Sequence, residues 1–205
     1  RNTLPHKVPG YRAGHISLKS PGRPPGDATA DEMDLVADLA ERYSFGELRV
    51  THHQNLLLAD VRLADLPALW QALRARDLAY PNVGTLTDMI ACPGLDFCAL
   101  ANAGSIDVAR QIQSRFEDLD YLYDLGELRL NMSGCMNACG HHHVGHIGIL
   151  GVDKKGEEWY QIQIGGPSLN KAPLGKGLGA SGPQEKGAAG VGRRLGTGGH
   201  HVGAV

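Results

Sequence analysis

The four cysteines of this chain fall in two close pairs, Cys92 with Cys98 as C-x5-C and Cys135 with Cys139 as C-x3-C. Thiolate sulfur is a soft ligand, and four thiolates can complete the iron coordination of a cubane cluster or hold a zinc ion. Zinc motifs typically space paired ligands about two to four residues apart, a range the first pair misses. Gly94, Gly134 and Gly140 stand beside the cysteines. Without a side chain at these positions, backbone N–H groups can approach sulfur closely and donate to it, which raises the reduction potential of a cluster. The plain alternative is four buried, reduced cysteines that pack as small apolar residues.

The same residues carry a resemblance. Ala91 to Ala101, ACPGLDFCALA, and Asn131 to His143, NMSGCMNACGHHH, resemble the two cluster motifs of the sirohaem-dependent nitrite/sulfite reductase family, haemoprotein subunit. Upstream, Leu39 to Asp60, LAERYSFGELRVTHHQNLLLAD, is similar to that family's ferredoxin-like half-domain, so the likeness covers about Pro9 to Gly166. It implies a C-terminal fragment in which Cys92, Cys98, Cys135 and Cys139 hold a [4Fe–4S] cluster and Cys139 is shared with the iron of sirohaem as bridging axial ligand. One bridging sulfur couples both cofactors strongly and leaves the other haem face open for substrate.

The implied activity is reduction of sulfite to sulfide or of nitrite to ammonia, a six-electron change in each case. The implied partners are an N-terminal half that supplies most of the substrate-binding arginines and lysines, and an electron donor, ferredoxin or a flavoprotein. Arg49, in RVTHHQ, resembles the pseudo-repeat position of one such arginine and otherwise reads as a surface strand residue. Asn137 can contact the macrocycle edge or cap its loop by bonding its own backbone, and the cap is the simpler reading. Supplying only the second of two pseudo-symmetric halves, the chain is expected to expose an apolar face.

His141, His142, His143 and His146 follow the last cysteine and invite a metal reading, since imidazole binds zinc, copper and iron. The simpler expectation is that they line the cofactor cavity, hydrogen-bond haem carboxylates or pack under the strand at Ile147. His52 and His53 belong to a turn, and Lys154 and Lys155 to another, all as solvated groups.

The elements that must position these residues are legible in part. Thr29 and Glu32 stand in capping-box spacing, and Met33, Leu35, Val36, Leu39 and Ala40 recur at helical intervals, which predicts a helix to about Tyr43, ended by Gly46. Strands are predicted over His15–Lys19, Glu47–Thr51 and Asn55–Val61, the last two as a hairpin. Asp65 is expected to cap a second helix through Leu66, Leu69, Trp70, Leu73 and Leu78, with Pro67 in its first turn. Beyond a boundary near Tyr80, a helix is predicted over Ala99–Phe116 and strands over Leu128–Met132, Ile147–Val152 and Trp159–Ile164.

The fold class is therefore α+β: a half ferredoxin-like α/β sandwich over residues 1–80, then an α/β domain for [4Fe–4S] and sirohaem over residues 81–166. Residues 167–205 form a Gly-rich tail expected to be disordered or aberrant. A formal net charge of −2 argues against a nucleic-acid protein, and no apolar run approaches a bilayer span. With no secretory leader in evidence the expected address is cytoplasmic. Two other classes use the same cysteines: a non-catalytic zinc module, and a small cluster protein that passes electrons without sirohaem.

Overall fold

The structure, a computed structural model, describes residues 1–166 and 173–184. The chain divides into two compact units, Arg1–Val83 and Gly84–Val205, and has an α+β fold.

The first unit contains β1 (Thr3–Pro5), β2 (Tyr11–Ile16), α1 (Ala30–Tyr43), β3 (Leu48–Val50), β4 (Leu56–Arg62) and α2 (Leu66–Arg74). Its sheet runs β1-β2-β4-β3, antiparallel throughout. Ile16 and Leu58 from the sheet, Val36 and Leu39 from α1, and Leu69 and Leu73 from α2 form one buried core. The predicted capping box opens α1: Thr29 Oγ1 accepts the Glu32 N–H at 3.3 Å, and Glu32 Oε2 accepts the Thr29 N–H at 2.9 Å. Arg23 then grips both Glu32 oxygens at 2.7 Å. Held by this fork first, and by the Thr29 N–H, the Glu32 carboxyl drops to about 2. Gly46 closes the helix with φ +74° and its N–H on the Ala40 carbonyl.

Three expectations for this unit need correction. The strand expected over His15–Lys19 ends at Ile16, because side chains take over the backbone beyond it. Asn55 Oδ1 accepts the Leu18 N–H, Asn82 Nδ2 donates to the Lys19 carbonyl, and the fully buried Lys19 ammonium donates to the His53 carbonyl. Asp65 precedes α2 without capping it; its carboxylate is taken by Arg62 at 2.7 Å. The helix stops at Arg74, and Asp77 at φ +55° turns the chain so that Leu78 still enters the core.

The second unit contains β5 (Ile90–Ala91), α3 (Ile106–Gln113), α4 (Leu119–Leu125), β6 (Leu130–Ser133), β7 (Ile147–Lys154), β8 (Glu157–Ile164), β9 (Lys176–Gly177) and β10 (Gly182–Pro183). The mixed sheet runs β10-β8-β7-β6-β5, with β9 also on β8. Strands β5, β6 and β7 are parallel, and β7 and β8 form an antiparallel hairpin turned by Lys155 and Gly156 at positive φ. Met89, Val108, Ile112, Leu122, Leu130 and Ile149 anchor its core.

The helix expected over Ala99–Phe116 is confined to Ile106–Gln113. Residues 99–105 cannot join it, because the Asn102 and Ala103 N–H groups donate to the Gly134 carbonyl and the Gly104 N–H donates to Glu158. The expected tail also needs correction in its described part: β9 and β10 pair with β8, and the Gly175 N–H bonds the His143 carbonyl at 2.9 Å. Residues 167–172 and 185–205 lie outside the described residues.

Candidate functional site

Adjacent parallel strands end side by side, and the cysteine loops leave from two such ends. The register pairs Ile90 with Asn131 and Ala91 with Met132. Cys92 is thus the first residue past β5, and Cys135 lies two residues past β6. The carboxyl edge of parallel strands is where α/β proteins place their ligands, since loops from neighbouring strands converge there.

The loops are joined through glycine. Gly134 donates its N–H to Cys92 Sγ at 3.0 Å, and its carbonyl accepts from Asn102 and Ala103 at 2.9 and 3.0 Å. A Cβ on Gly134 would lie 2.6 Å from the Ala103 oxygen and 2.9 Å from Gly94 Cα, so the two loops meet glycine to glycine. The expected approach of an N–H to sulfur therefore occurs at Gly134. Gly140 spends its N–H on Ser133 Oγ instead, at 3.1 Å.

Among the described residues all four cysteines are free: Cys92 and Cys135 are buried, Cys98 is half-buried and Cys139 is exposed. Cys98 is set by a 3₁₀ turn, Gly94–Asp96, its N–H on the Gly94 carbonyl at 2.9 Å. The loop carrying Cys135 and Cys139 closes through backbone bonds, Ala138 N–H to Cys135 O and His141 N–H to Ala138 O, with Ala138 and His141 at positive φ. Asn137 is exposed, and its amide bonds no group among the described residues, so the expected loop cap is not seen there. Around the cysteines the loops expose Leu95, Phe97, Leu100 and Met136, the last at 86%.

The histidines separate into different roles. His142 is 3% exposed, and its Nε2 lies 3.2 Å from His143 Nδ1. Burial first, and His143 second, hold its pKa down at about 4, so it is neutral. His146 accepts the Arg129 N–H on Nδ1 at 3.0 Å, and its pKa is lowered by burial and then by Arg129. Among the described residues no three Cys, His, Asp or Glu side chains converge as ligands of a single ion.

Arg49 is in the first unit, on β3, where its guanidinium is exposed and pairs with Glu47. Lys154 lies 4.0 Å over the Trp159 ring. His52 and His53 occupy the β3–β4 turn. Sequence reasoning missed three residues that hold the first cysteine loop. Glu158 Oε2 accepts the Gly104 N–H at 2.8 Å, and Tyr160 donates its hydroxyl to the Gly104 carbonyl at 2.7 Å. Burial, then the neighbouring Glu158, raises the Tyr160 pKa. The third is Ser105, bonded to the Cys92 carbonyl. No local pattern marks them, since Glu158 and Tyr160 reach Gly104 across more than fifty residues.

The chain is thus of the α+β class, a four-stranded antiparallel unit followed by a mixed sheet with paired-cysteine loops at the carboxyl edge of its parallel strands. Residues 15–76 match the family described as the nitrite/sulfite reductase ferredoxin-like half domain. The chloroplastic ferredoxin–nitrite reductase of Arabidopsis thaliana is 33% identical over 143 residues, 68% of this chain and 24% of that protein. The sulfite reductase [NADPH] hemoprotein beta-component of Nitrosomonas europaea is 30% identical over 145 residues, 69% of this chain and 25% of that protein. In fold, the chain is similar along its whole length to the NirA protein of Mycobacterium tuberculosis, with a TM-score of 0.79 at 24% identity over 38% of that chain. The chain belongs to the nitrite/sulfite reductase family. It spans about a quarter of the length of these curated relatives. No helix among the described residues is long and apolar enough to cross a membrane.

Proposed function

We propose that this chain is the cofactor-bearing part of a six-electron reductase, with residues 81–166 as its cofactor domain, joined by β9 and β10 on β8, and residues 1–80 as its ferredoxin-like half-domain. In this reading Cys92, Cys98, Cys135 and Cys139 hold a [4Fe–4S] cluster, and Cys139 is shared with sirohaem. The observation that carries the reading is the meeting of the two loops at the ends of β5 and β6, where one loop's N–H already bonds the other loop's cysteine sulfur.

The donor set fits a cluster. Four free thiols stand on glycine-lined loops, buried at Cys92 and Cys135 and open at Cys139. A cluster joined to sirohaem would supply and relay the electrons that take sulfite to sulfide or nitrite to ammonia. The protein's part is to anchor through the buried cysteines, to present Cys139 outward, and to keep N–H donors on sulfur. Asn137, with its amide uncommitted, would offer hydrogen bonds to the macrocycle edge. Arg49 would hold the anion only by leaving Glu47. Other cationic groups would come from an N-terminal half, and electrons from ferredoxin or a flavoprotein, in the cytoplasm.

A zinc module is the competing reading. It would use the same four thiolates, drawn to about 2.3 Å of one ion. A protein that passes electrons through a cluster alone would need no tetrapyrrole. The deciding experiment is anaerobic reconstitution of this chain and of Cys139→Ser with iron, sulfide and sirohaem, followed by absorption spectra and metal analysis. About four irons per cluster plus the haem iron, with haem coupling lost in the variant, supports the proposal. One zinc per chain with no visible chromophore rejects it.

A further inference from the structure

Ser105 is the residue preceding α3, the position where serine ordinarily turns its oxygen back onto the helix's first N–H groups. Here it makes no such cap. Its hydroxyl instead donates to the carbonyl oxygen of Cys92 at 2.6 Å and lies 3.6 Å from Cys92 Sγ. Both residues are buried, Ser105 completely. Gly94 leaves the space this requires, because a Cβ there would strike Ser105 Oγ. A residue that gives up its helix cap to reach one cysteine at two atoms is placed for that cysteine.

We propose that Ser105 is a positioning residue for Cys92, fixing its backbone through the carbonyl and giving its sulfur a second hydrogen bond beside that of Gly134. The inference rests on the reading of Cys92 as a cluster ligand. In the free thiol, the sulfur carries its own proton and can donate it to Ser105 Oγ. Ligation to iron releases that proton, and the sulfur becomes an acceptor only. The single Ser105 proton would then be shared as a three-centre bond between the carbonyl, which keeps it at 2.6 Å, and the anionic sulfur, whose charge strengthens the second branch. Only the thiol proton would leave, to solvent, and the hydroxyl proton would stay on oxygen. Because the reduced cluster carries one more negative charge than the oxidised one, a donor at its sulfur favours reduction.

The test is an anaerobic redox titration of the full chain, wild type, Ser105→Ala and Ser105→Thr, each reconstituted with iron and sulfide and followed by electron paramagnetic resonance. Removal of the hydroxyl is expected to shift the one-electron equilibrium about tenfold toward the oxidised form, about 59 mV to lower potential. Threonine, which keeps the hydroxyl, is expected to restore the wild-type potential. An alanine variant with wild-type iron content and wild-type potential overturns the inference and leaves the cluster reading standing. A wild type that takes up no iron and sulfide removes the cluster reading, and this inference with it. Should Ser105→Ala take up no cluster, Ser105→Thr decides: loading with the wild-type potential supports the role of the hydroxyl, and failure to load overturns it.

Discussion

The Gly134 N–H meets the sulfur of Cys92 at 3.0 Å across 42 positions of sequence. That bond ties two loops which no strand pairing connects beyond Ala91 and Met132. It depends on glycine, because a methyl at Gly134 would come within 2.6 Å of the Ala103 oxygen and 2.9 Å of Gly94 Cα, both backbone atoms. Gly134→Ala is therefore expected to destabilise the second unit by about 1–3 kcal/mol, the usual cost of overpacking. Chemical denaturation followed by tryptophan emission measures this, and the iron content after reconstitution is expected to fall with it. Unchanged stability and loading would show that the loops can move apart freely.

His142 sets a pH dependence of definite sign. Its folded value near 4 lies below the ordinary 6.5, so between these limits the unfolded chain binds a proton that the folded chain does not. Stability contributed this way is complete above pH 6.5 and is lost as the pH falls toward 4, with a slope of up to about one proton. His146, lowered in the same direction, adds to the slope. In His142→Leu the slope measured by denaturation across that window is expected to shrink by up to one proton. An unaltered slope would mean that His142 titrates normally in the folded protein.

What could be read from the sequence was local. Thr29, Glu32 and Gly46 announced the two ends of α1 because a capping box and a positive-φ glycine act within a few residues. The strands expected over Ile147–Val152 and Trp159–Ile164 likewise lie within β7 and β8. The misjudged segments are those whose hydrogen bonds go far along the chain. Ser17–Lys19 looks like strand, yet Asn55 and Asn82 hold its backbone. Residues 99–105 look helical, yet their N–H groups serve Gly134 and Glu158. At the site, the cysteine spacing was plain, whereas Ser105, Glu158 and Tyr160 carry no local signature and needed the fold to bring them to the first loop.

Glu32 serves α1 twice, once through the Thr29 N–H and once through the Arg23 fork. Thr29→Ala removes one half of the cap and is expected to cost the first unit about 1 kcal/mol. Glu32→Gln removes the fork's charge and is expected to abolish an acid-dependent component. The folded carboxyl titrates near 2, below its ordinary 4.5, so this component is present above pH 4.5 and is lost as the pH falls toward 2. Denaturation curves of both variants at neutral pH and at pH 3 check the two effects separately. Equal losses at both pH values in Glu32→Gln would assign the effect to packing rather than to charge.

Phe97 and Met136 stand 78% and 86% exposed on the two cysteine loops, with Leu95 and Leu100 beside Phe97 in the first. Large apolar side chains so open contribute little burial to the fold, so replacing them is expected to change stability by no more than about 0.5 kcal/mol. Apolar side chains open on these loops are what an apolar partner would need, which under the proposed function is the macrocycle or an N-terminal half. Phe97→Ser and Met136→Ser are therefore expected to keep the denaturation midpoint and cluster content of the wild type while weakening sirohaem uptake about tenfold, the equivalent of about 1.4 kcal/mol of lost apolar contact. Titration of the reconstituted proteins with sirohaem, followed in the visible bands, measures it. If uptake stays at the wild-type level while association with a separately supplied N-terminal half weakens, these side chains face the partner rather than the cofactor. If neither changes, these exposed side chains serve neither contact.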